Sequence, residues 1–186
     1  MPRELAEPWR RFLTDLDGLV DHDVRLRCCG GFVVTMLYGL MRTTADLDVL
    51  SILPTADQRT IATVAGQGSA LHKAHGVYLD VVTVATHPDS YEDRLTEMYP
   101  QAFRHIHLLA LDPYDLALTK LARNADRDRS DVEYLATAAP LDVAVLRERY
   151  EREMRGYVGV PEREDLTLEL WINIIQEAQR GRERRT

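Results

Sequence analysis

The sequence predicts an α+β fold, in which a mixed β-sheet core is flanked by helices and followed by a helical C-terminal portion. Two observations lead to this prediction. Up to Leu111, short segments with strand character alternate with helical segments, and beyond Leu111 only the helical spacing of apolar residues is found. We therefore expect a core with an N-terminal helix over residues 1–111 and a helical portion over residues 112–186 that completes a cleft.

The elements of the core follow from the spacing of apolar, β-branched and turn-forming residues. An amphipathic helix is predicted over 8–20, and a second helix from the glycines at position 30 to about 39, although β-branched residues leave a strand open there. A third helix is predicted to about residue 70, with Thr55 or Asp57 as its N-cap. Strands are predicted over 24–28, 46–53, 76–84 and about 105–111.

The segment after Leu111 begins with a helix start signal. Asp112 is a good N-cap residue, and proline is tolerated at the first position of a helix, so Pro113 predicts a helix that continues over 114–123. Three further helices complete the predicted helical portion, over 129–138, 141–155 and 162–180.

Composition limits the classes of protein to which the chain can belong. It has 186 residues, of which 45% are hydrophobic and 28% charged, the profile of a soluble globular protein. A net charge of −7 argues against a protein that coats nucleic acid. The chain lacks an apolar run long enough to span a membrane and an apolar leader, so we expect a cytoplasmic protein that does not bind membranes. Its two cysteines, Cys28 and Cys29, are expected to be buried thiols.

The most informative stretch of the chain combines a glycine pair with two closely spaced carboxylates. Gly30 and Gly31 allow backbone N–H groups to approach a phosphate closely where a helix begins. Asp46 and Asp48 lie on a predicted strand, so both side chains project to the same face. Mg²⁺ is usually bound by one or two carboxylates together with phosphates and water, and this stretch therefore predicts a site for a nucleotide and its metal.

A third carboxylate, Asp80, lies inside the apolar strand predicted over 76–84. Burial of an aspartate is costly without a partner, and a cation shared with Asp46 and Asp48 would supply one if the two strands are neighbours. The alternative is that Asp80 lies at the rim of the sheet or pairs with an arginine. Arg42 also has two interpretations, since it either binds the triphosphate or braces Asp46 or Asp48.

In their order and spacing these residues resemble the DNA polymerase β-type nucleotidyltransferase superfamily. Within it they are most similar to the small bacterial nucleotidyltransferases grouped with AbiEii-like toxins of abortive-infection and toxin–antitoxin systems. The resemblance covers roughly residues 26–135 and implies the nucleotidyltransferase fold. In that family the glycine pair cradles the triphosphate, the paired aspartates bind catalytic Mg²⁺ or Mn²⁺, and the third aspartate helps to deprotonate the acceptor. Many members have serine where this chain has Gly31, so a phosphate contact there is expected from the backbone.

The resemblance extends to a second element in the helical portion. The run from Lys120 and Leu121 through Arg123 to Arg127, Asp128 and Asp131 is similar to a Lys-Leu … Arg-Asp-x-x-Asp element of these small enzymes, in which the lysine contacts phosphates. Lys120 and Arg123 share a helix face, while a surface ladder of salt bridges is the alternative. The resemblance thus implies catalytic and metal-binding roles for Asp46, Asp48 and Asp80, and nucleotide binding by Gly30, Gly31, Arg42, Thr44, Lys120 and Arg123.

These residues predict a metal-dependent transferase that moves NMP from an NTP to a hydroxyl group. The acceptor is left open between a tRNA 3′ end, a protein side chain and a small molecule. The resemblance further implies a place in a toxin–antitoxin or phage-defence system, with an antitoxin or a HEPN-type protein as partner. The alternative is a module of a toxin–antitoxin pair that binds nucleotide or a partner without catalysis.

Overall fold

The computed structural model describes residues 4–83, 85–139 and 141–184, and it confirms the predicted α+β fold class. Contacts divide the chain into two compact units. The first contains the described residues up to 83 together with Leu95–Leu111, and the second contains Ala85–Arg94 together with the described residues from Asp112 onward.

The first unit is built on a mixed five-stranded sheet with the order β3-β2-β1-β5-β4. Its strands are β1 Val24–Cys28, β2 Asp46–Leu53, β3 Tyr78–Val81, β4 Thr96–Met98 and β5 Ile106–Ala110. The central strand β1 is antiparallel to β2 and parallel to β5, while β2 and β3 are parallel and β4 is antiparallel to β5. The predicted strands 24–28 and 46–53 are confirmed with their bounds, and the glycine segment is a helix.

Helices cover the apolar side of this sheet. They are α1 Trp9–Asp17, α2 Gly30–Met36, α3 Gln58–Ala65 and α4 Ala70–His75, with a 3₁₀ turn at Thr55–Asp57. Leu47 and Val49 of β2 are fully buried, while the alternate residues Asp46 and Asp48 are only half-buried. The period of two that places apolar side chains in the core therefore turns these carboxylates to the opposite face of the strand.

The end of α1 is tied to the start of β5 by one carboxylate. Asp17 accepts hydrogen bonds from the backbone N–H groups of Arg104, His105 and Ile106 at 3.0, 2.7 and 2.8 Å. Burial acts to raise the pKa of Asp17, but these three donors together hold it below its usual value because they stabilise the charged form. This connection joins residues far apart in sequence at the edge of the core.

The helix predicted to about residue 70 is present but shorter, because α3 ends at Ala65 and α4 begins only at Ala70. Neither Thr55 nor Asp57 caps through its side chain. The Asp57 carboxylate contacts His22 Nε2 at 2.6 Å instead, whereas the Ser69 hydroxyl accepts the backbone N–H of His72 and begins α4. The strand predicted over 76–84 is also shorter in the structure, and Val84 lies outside the described residues. β4 lies between the predicted strands 76–84 and 105–111, where the sequence predicts no strand.

The second unit is helical. Its helices are α5 Pro113–Leu121, α6 Asp126–Ala138, α7 Val143–Glu153 and α8 Pro161–Glu183, with 3₁₀ turns at Tyr91–Arg94 and Arg155–Tyr157. The Asp112 carboxylate accepts the backbone N–H of Asp115 at 2.8 Å, which confirms the predicted N-cap. Trp171 of α8 is fully buried, and its indole N–H donates to the Asn124 side chain at 3.1 Å. Among the described helices, none combines the length and the apolar character that crossing a membrane requires.

A buried ion network joins residues 85–94 to α5 and α7. The Asp115 carboxylate has no exposed surface, and Arg94 donates to both of its oxygens at 2.8 and 3.0 Å. Arg94 also donates to Glu153, and Arg149 donates to Asp115 at 2.9 Å. Burial raises the pKa of Asp115 against the lowering effect of Arg94. Because a buried charge is stable only when it is paired, this network fixes residues 85–94 within the second unit.

Candidate functional site

The candidate site lies on the polar face of β2 and β3 in the first unit. These strands are neighbours and parallel, and their register places Asp48 opposite Asp80 and Asp46 opposite Tyr78. The four side chains alternate with buried neighbours such as Leu47 and Leu79, and so project to the same face. We refer to Asp46, Asp48, Tyr78 and Asp80 as the carboxylate face.

The three carboxylates of the carboxylate face all influence Tyr78. Burial raises the pKa of the Tyr78 hydroxyl, and the charges of Asp46, Asp80 and Asp48 raise it further, because each disfavours a phenolate. All three carboxylates therefore act on the same tyrosine. The Tyr78 ring packs edge-to-face against His72 with 5.0 Å between centroids, and His72 Nδ1 accepts the backbone N–H of Gly68 at 2.9 Å. A cation at this face would relieve the repulsion among the three carboxylates.

Gly30 and Asp48 are in direct contact where α2 begins. Gly30 has a φ of 68°, and a Cβ atom at this position would lie 1.9 Å from Oδ2 of Asp48 and 2.9 Å from its Cβ. The backbone N–H of the preceding residue, Cys29, donates to the Asp48 carbonyl at 2.9 Å. The glycine is therefore needed here both for its backbone conformation and for the space that the Asp48 side chain occupies.

Thr44 positions the other carboxylate of the pair. Its hydroxyl donates to Oδ1 of Asp46 at 2.8 Å, and the side chain is almost fully buried. Arg42, two residues earlier, is half-buried and lies with Thr44 in the segment between α2 and β2. Nucleotide binding by both residues, which the resemblance implies, stays a prediction, as does the alternative that Arg42 braces Asp46 or Asp48. The structure adds a direct contact between Thr44 and a candidate metal ligand.

Asp80 differs from its expected environment. The sequence predicts either a buried carboxylate in need of a partner or a carboxylate at the rim of the sheet, and the structure shows the second, because β3 is an edge strand and Asp80 is exposed. The expected burial is wrong, since an edge strand leaves one side of its residues open to solvent. The predicted neighbourhood of the two strands is confirmed by the pairing of Asp48 with Asp80. An exposed carboxylate at this position is accessible to a hydroxyl group from outside the site.

The arrangement of the carboxylate face is better suited to binding a magnesium ion by two carboxylates than by three. Among the residues that the structure describes, no group of three or more His, Cys, Asp or Glu side chains converges on a point where an ion would fit. Mg²⁺ does not require such a group, since it usually takes one or two carboxylates and completes its shell with phosphate oxygens and water. Asp46 and Asp48 lie two residues apart on the same strand face and provide such a pair.

Lys120 and Arg123 are held by carboxylates within the second unit. The ammonium group of Lys120, almost fully buried, donates to Asp131 at 2.8 Å and lies 3.6 Å from Asp128. Arg123 donates through Nε to Asp128 at 2.8 Å. Burial acts to raise the pKa of Asp128, but Arg123 and the backbone N–H of Ala125 outweigh it and lower this pKa. The two basic residues meet one acidic cluster, and their role as nucleotide ligands stays a prediction.

Tyr78 is the member of the carboxylate face that the sequence analysis did not identify. The signal was present, because residues two apart on a strand share a face, and Tyr78 precedes Asp80 by two. The contact between Gly30 and Asp48 had no comparable signal, since it depends on the approach of α2 to β2.

A comparison with family models assigns the chain to the class of nucleotidyltransferases that the order and spacing of its glycines and aspartates resemble. Residues 11–179 match the model of a family described as "Nucleotidyltransferase of unknown function (DUF6036)", and the chain belongs to this family. Comparisons with curated proteins and with solved structures gave no significant match. The nucleotidyltransferase prediction is thus confirmed at the level of the family.

Proposed function

We propose that this protein is a metal-dependent nucleotidyltransferase that transfers NMP from an NTP to a hydroxyl acceptor and releases pyrophosphate. The observation that carries the proposal is the carboxylate face, in which Asp46 and Asp48 share one side of β2 and Asp80 lies opposite Asp48 on β3. Asp48 contacts Gly30, the first residue of α2, so the carboxylate face lies beside the glycine pair. Membership in a nucleotidyltransferase family supports the same class of reaction.

The residues have distinct roles in this proposal. Asp46 and Asp48 hold Mg²⁺ or Mn²⁺, and the ion, when bound, neutralises phosphate charge and favours deprotonation of the attacking hydroxyl. Asp80 takes the proton of the acceptor hydroxyl as its oxygen bonds to the α-phosphorus and the bond to the departing pyrophosphate breaks. The backbone of Gly30 and Gly31 binds the triphosphate.

Cationic side chains would stabilise the leaving group. Arg42 lies four residues before Asp46, close enough along the chain for its guanidinium to contact phosphates held there. Thr44 keeps the Asp46 carboxylate oriented through its hydrogen bond. Lys120 and Arg123 are the further candidates from the second unit, and each would have to exchange part of its ion pair with Asp131 or Asp128 for a contact with phosphate.

The acceptor and the cellular setting complete the proposal. The acceptor is a tRNA 3′ end, a hydroxyl side chain of a protein or a small molecule. The resemblance to AbiEii-like enzymes favours a toxin–antitoxin or phage-defence role, in the cytoplasm, with an antitoxin or a HEPN-type partner. A net charge of −7 is compatible with a tRNA end, which needs only a local basic groove.

A second candidate function is a nucleotide-binding module without catalysis. It is favoured by the ion pairs of Lys120 with Asp131 and of Arg123 with Asp128, because these pairs occupy two basic side chains that the transfer reaction would use. The two candidates differ in one property, because only the enzyme transfers part of the nucleotide to another molecule.

Label transfer separates these candidates. The purified protein is incubated with Mg²⁺ and each α-³²P-labelled NTP, in parallel with pooled tRNA, a protein lysate and hydroxyl-bearing small molecules. An enzyme is expected to place label on one of the three pools, with pyrophosphate released in equal amount. Binding of an NTP, measured by calorimetry, without label in any pool would identify the non-catalytic module.

A further inference from the structure

The first unit contains a cavity beside the carboxylate face that the proposed function does not yet use. It has a volume of about 540 Å³, and its walls come from the start of α1, the end of α2, the segment before β2 and the segments next to β3 and β4. Small-molecule sites usually have volumes of about 300–1,000 Å³. The cavity is therefore large enough for a part of a nucleotide.

The walls of this cavity are suited to a flat aromatic group. Tyr99 and Leu40, both half-buried, present an aromatic and an aliphatic side chain to it, while Trp9 and Val77 are almost fully buried behind its surface. The Tyr99 hydroxyl donates to the Met36 carbonyl at 2.7 Å, which orients its ring. Aromatic rings in such a setting pack by offset or edge-to-face stacking.

One polar group in the cavity wall has its hydrogen bonding unmet. The Thr35 hydroxyl oxygen is buried and, within the part of the chain that the structure describes, has no hydrogen-bond partner. Other threonines on helices of this protein have a hydrogen-bond partner for the hydroxyl group. Thr14, Thr63 and Thr167 each donate to the carbonyl four residues earlier at 2.8–2.9 Å. A buried hydroxyl without a partner carries a cost, and rotation of the Thr35 side chain toward the cavity would let a ligand group remove it.

The cavity is joined to the carboxylate face through a single side chain. Thr44 lines the cavity and donates to Oδ1 of Asp46 at 2.8 Å, and Arg42 lines the same wall. A molecule that fills the cavity therefore comes within one residue of a candidate metal ligand. Nucleoside triphosphates have this polarity, with an aromatic base at one end and phosphates that require cations at the other.

We propose that this cavity is the nucleobase pocket of the protein, with Thr35 as a polar contact of the base and Tyr99 and Leu40 as its aromatic and aliphatic walls. This inference rests on the proposed function, because it assumes that the phosphates lie at the carboxylate face. It assigns base recognition to the first unit and to residues that the sequence analysis did not identify.

Calorimetry with ligands that carry a nucleobase and with a ligand that lacks one tests this assignment. Each of the four Mg·NTPs and Mg·tripolyphosphate is titrated into the wild type, Thr35→Val, Leu40→Trp and the control Thr63→Val, whose hydroxyl lies on α3 outside the cavity. The wild type is expected to bind at least one NTP about tenfold more tightly than tripolyphosphate. Thr35→Val should weaken that NTP about fivefold, and Leu40→Trp, which fills the cavity, about tenfold or more.

Tripolyphosphate affinity should stay within about twofold of wild type in all variants, and Thr63→Val should change neither ligand. Thr35→Val keeps the shape of the side chain and removes a buried unsatisfied hydroxyl, so its stability in urea should not fall.

Equal affinity of the wild type for NTP and tripolyphosphate would overturn the pocket while leaving the proposed function in place. The pocket would also be overturned if the cavity variants weaken both ligands alike, weaken neither, or impair transfer without changing NTP affinity. No binding of either ligand to the wild type would overturn the proposed function, and the pocket with it.

Discussion

Replacing Gly30 with alanine tests the contact on which the geometry of the candidate site depends. The φ of 68° costs a residue with a side chain about 1–2 kcal/mol. The new Cβ would also lie 1.9 Å from Oδ2 and 2.9 Å from Cβ of Asp48, so the carboxylate and the strand must shift, at a cost of about 1–3 kcal/mol. We expect Gly30→Ala to lower the free energy of unfolding by about 2–5 kcal/mol in total.

Gly68→Ala is the matched control for this variant. Gly68 has a φ of 83°, but no atom lies within 4 Å of the position that its Cβ would take. Urea denaturation of the two variants therefore separates the backbone cost, which they share, from the steric cost at Asp48. Gly30→Ala should also weaken metal-dependent NTP binding, whereas Gly68→Ala should not. Losses of stability that agree within about 0.5 kcal/mol would refute the steric argument.

Two further predictions concern the partners of single carboxylates. Thr44→Val removes the hydrogen bond to Asp46, so we expect a titration in the presence of NTP to show about fivefold lower Mn²⁺ affinity. Thr44→Ser keeps the hydroxyl and should bind Mn²⁺ about as tightly as the wild type. Equal Mn²⁺ affinities of the two variants would contradict this role of Thr44. Three backbone donors outweigh the effect of burial and leave the pKa of Asp17 lowered. Its stabilising effect is therefore complete above about pH 4 and is lost as the pH falls through the lower folded value. Urea denaturation should therefore show a steeper loss of stability in acid for the wild type than for Asp17→Asn, and parallel pH profiles would count against it.

Local signals predicted the elements of the fold that have clear boundaries. The strand Asp46–Leu53 has alternating polarity and ends before Pro54, and the helix at Pro113 begins with an aspartate cap, so both could be recognised from neighbouring residues. The strand Thr96–Met98 could not, because three residues show no period and its pairing with β5 supplies the hydrogen bonds. The helix predicted to about residue 70 ends at Ala65, because Gly66 adopts an extended conformation and Gly68 has a φ of 83°.

The candidate site was predictable in its chemistry and not in its contacts. The spacing of Asp46 and Asp48 predicts a shared face, and this depends only on strand geometry. The alignment of Asp80 with Asp48 depends on the parallel pairing of β2 and β3, which no local pattern specifies. The exposure of Asp80 follows from the edge position of β3, and strand order is likewise a property of the whole sheet.

The most direct test of the account compares label transfer by the wild type and by Asp48→Asn, with α-³²P-labelled NTP, Mg²⁺ and the pool that accepts label. Asp21→Asn is the control, because the Asp21 side chain is exposed and lies outside the carboxylate face. Loss of a metal-binding carboxylate removes several kcal/mol of transition-state stabilisation, so Asp48→Asn should transfer label at least about a hundredfold more slowly while Asp21→Asn matches the wild type. Transfer by Asp48→Asn within about twofold of the wild-type rate would contradict the assignment of catalysis to the carboxylate face.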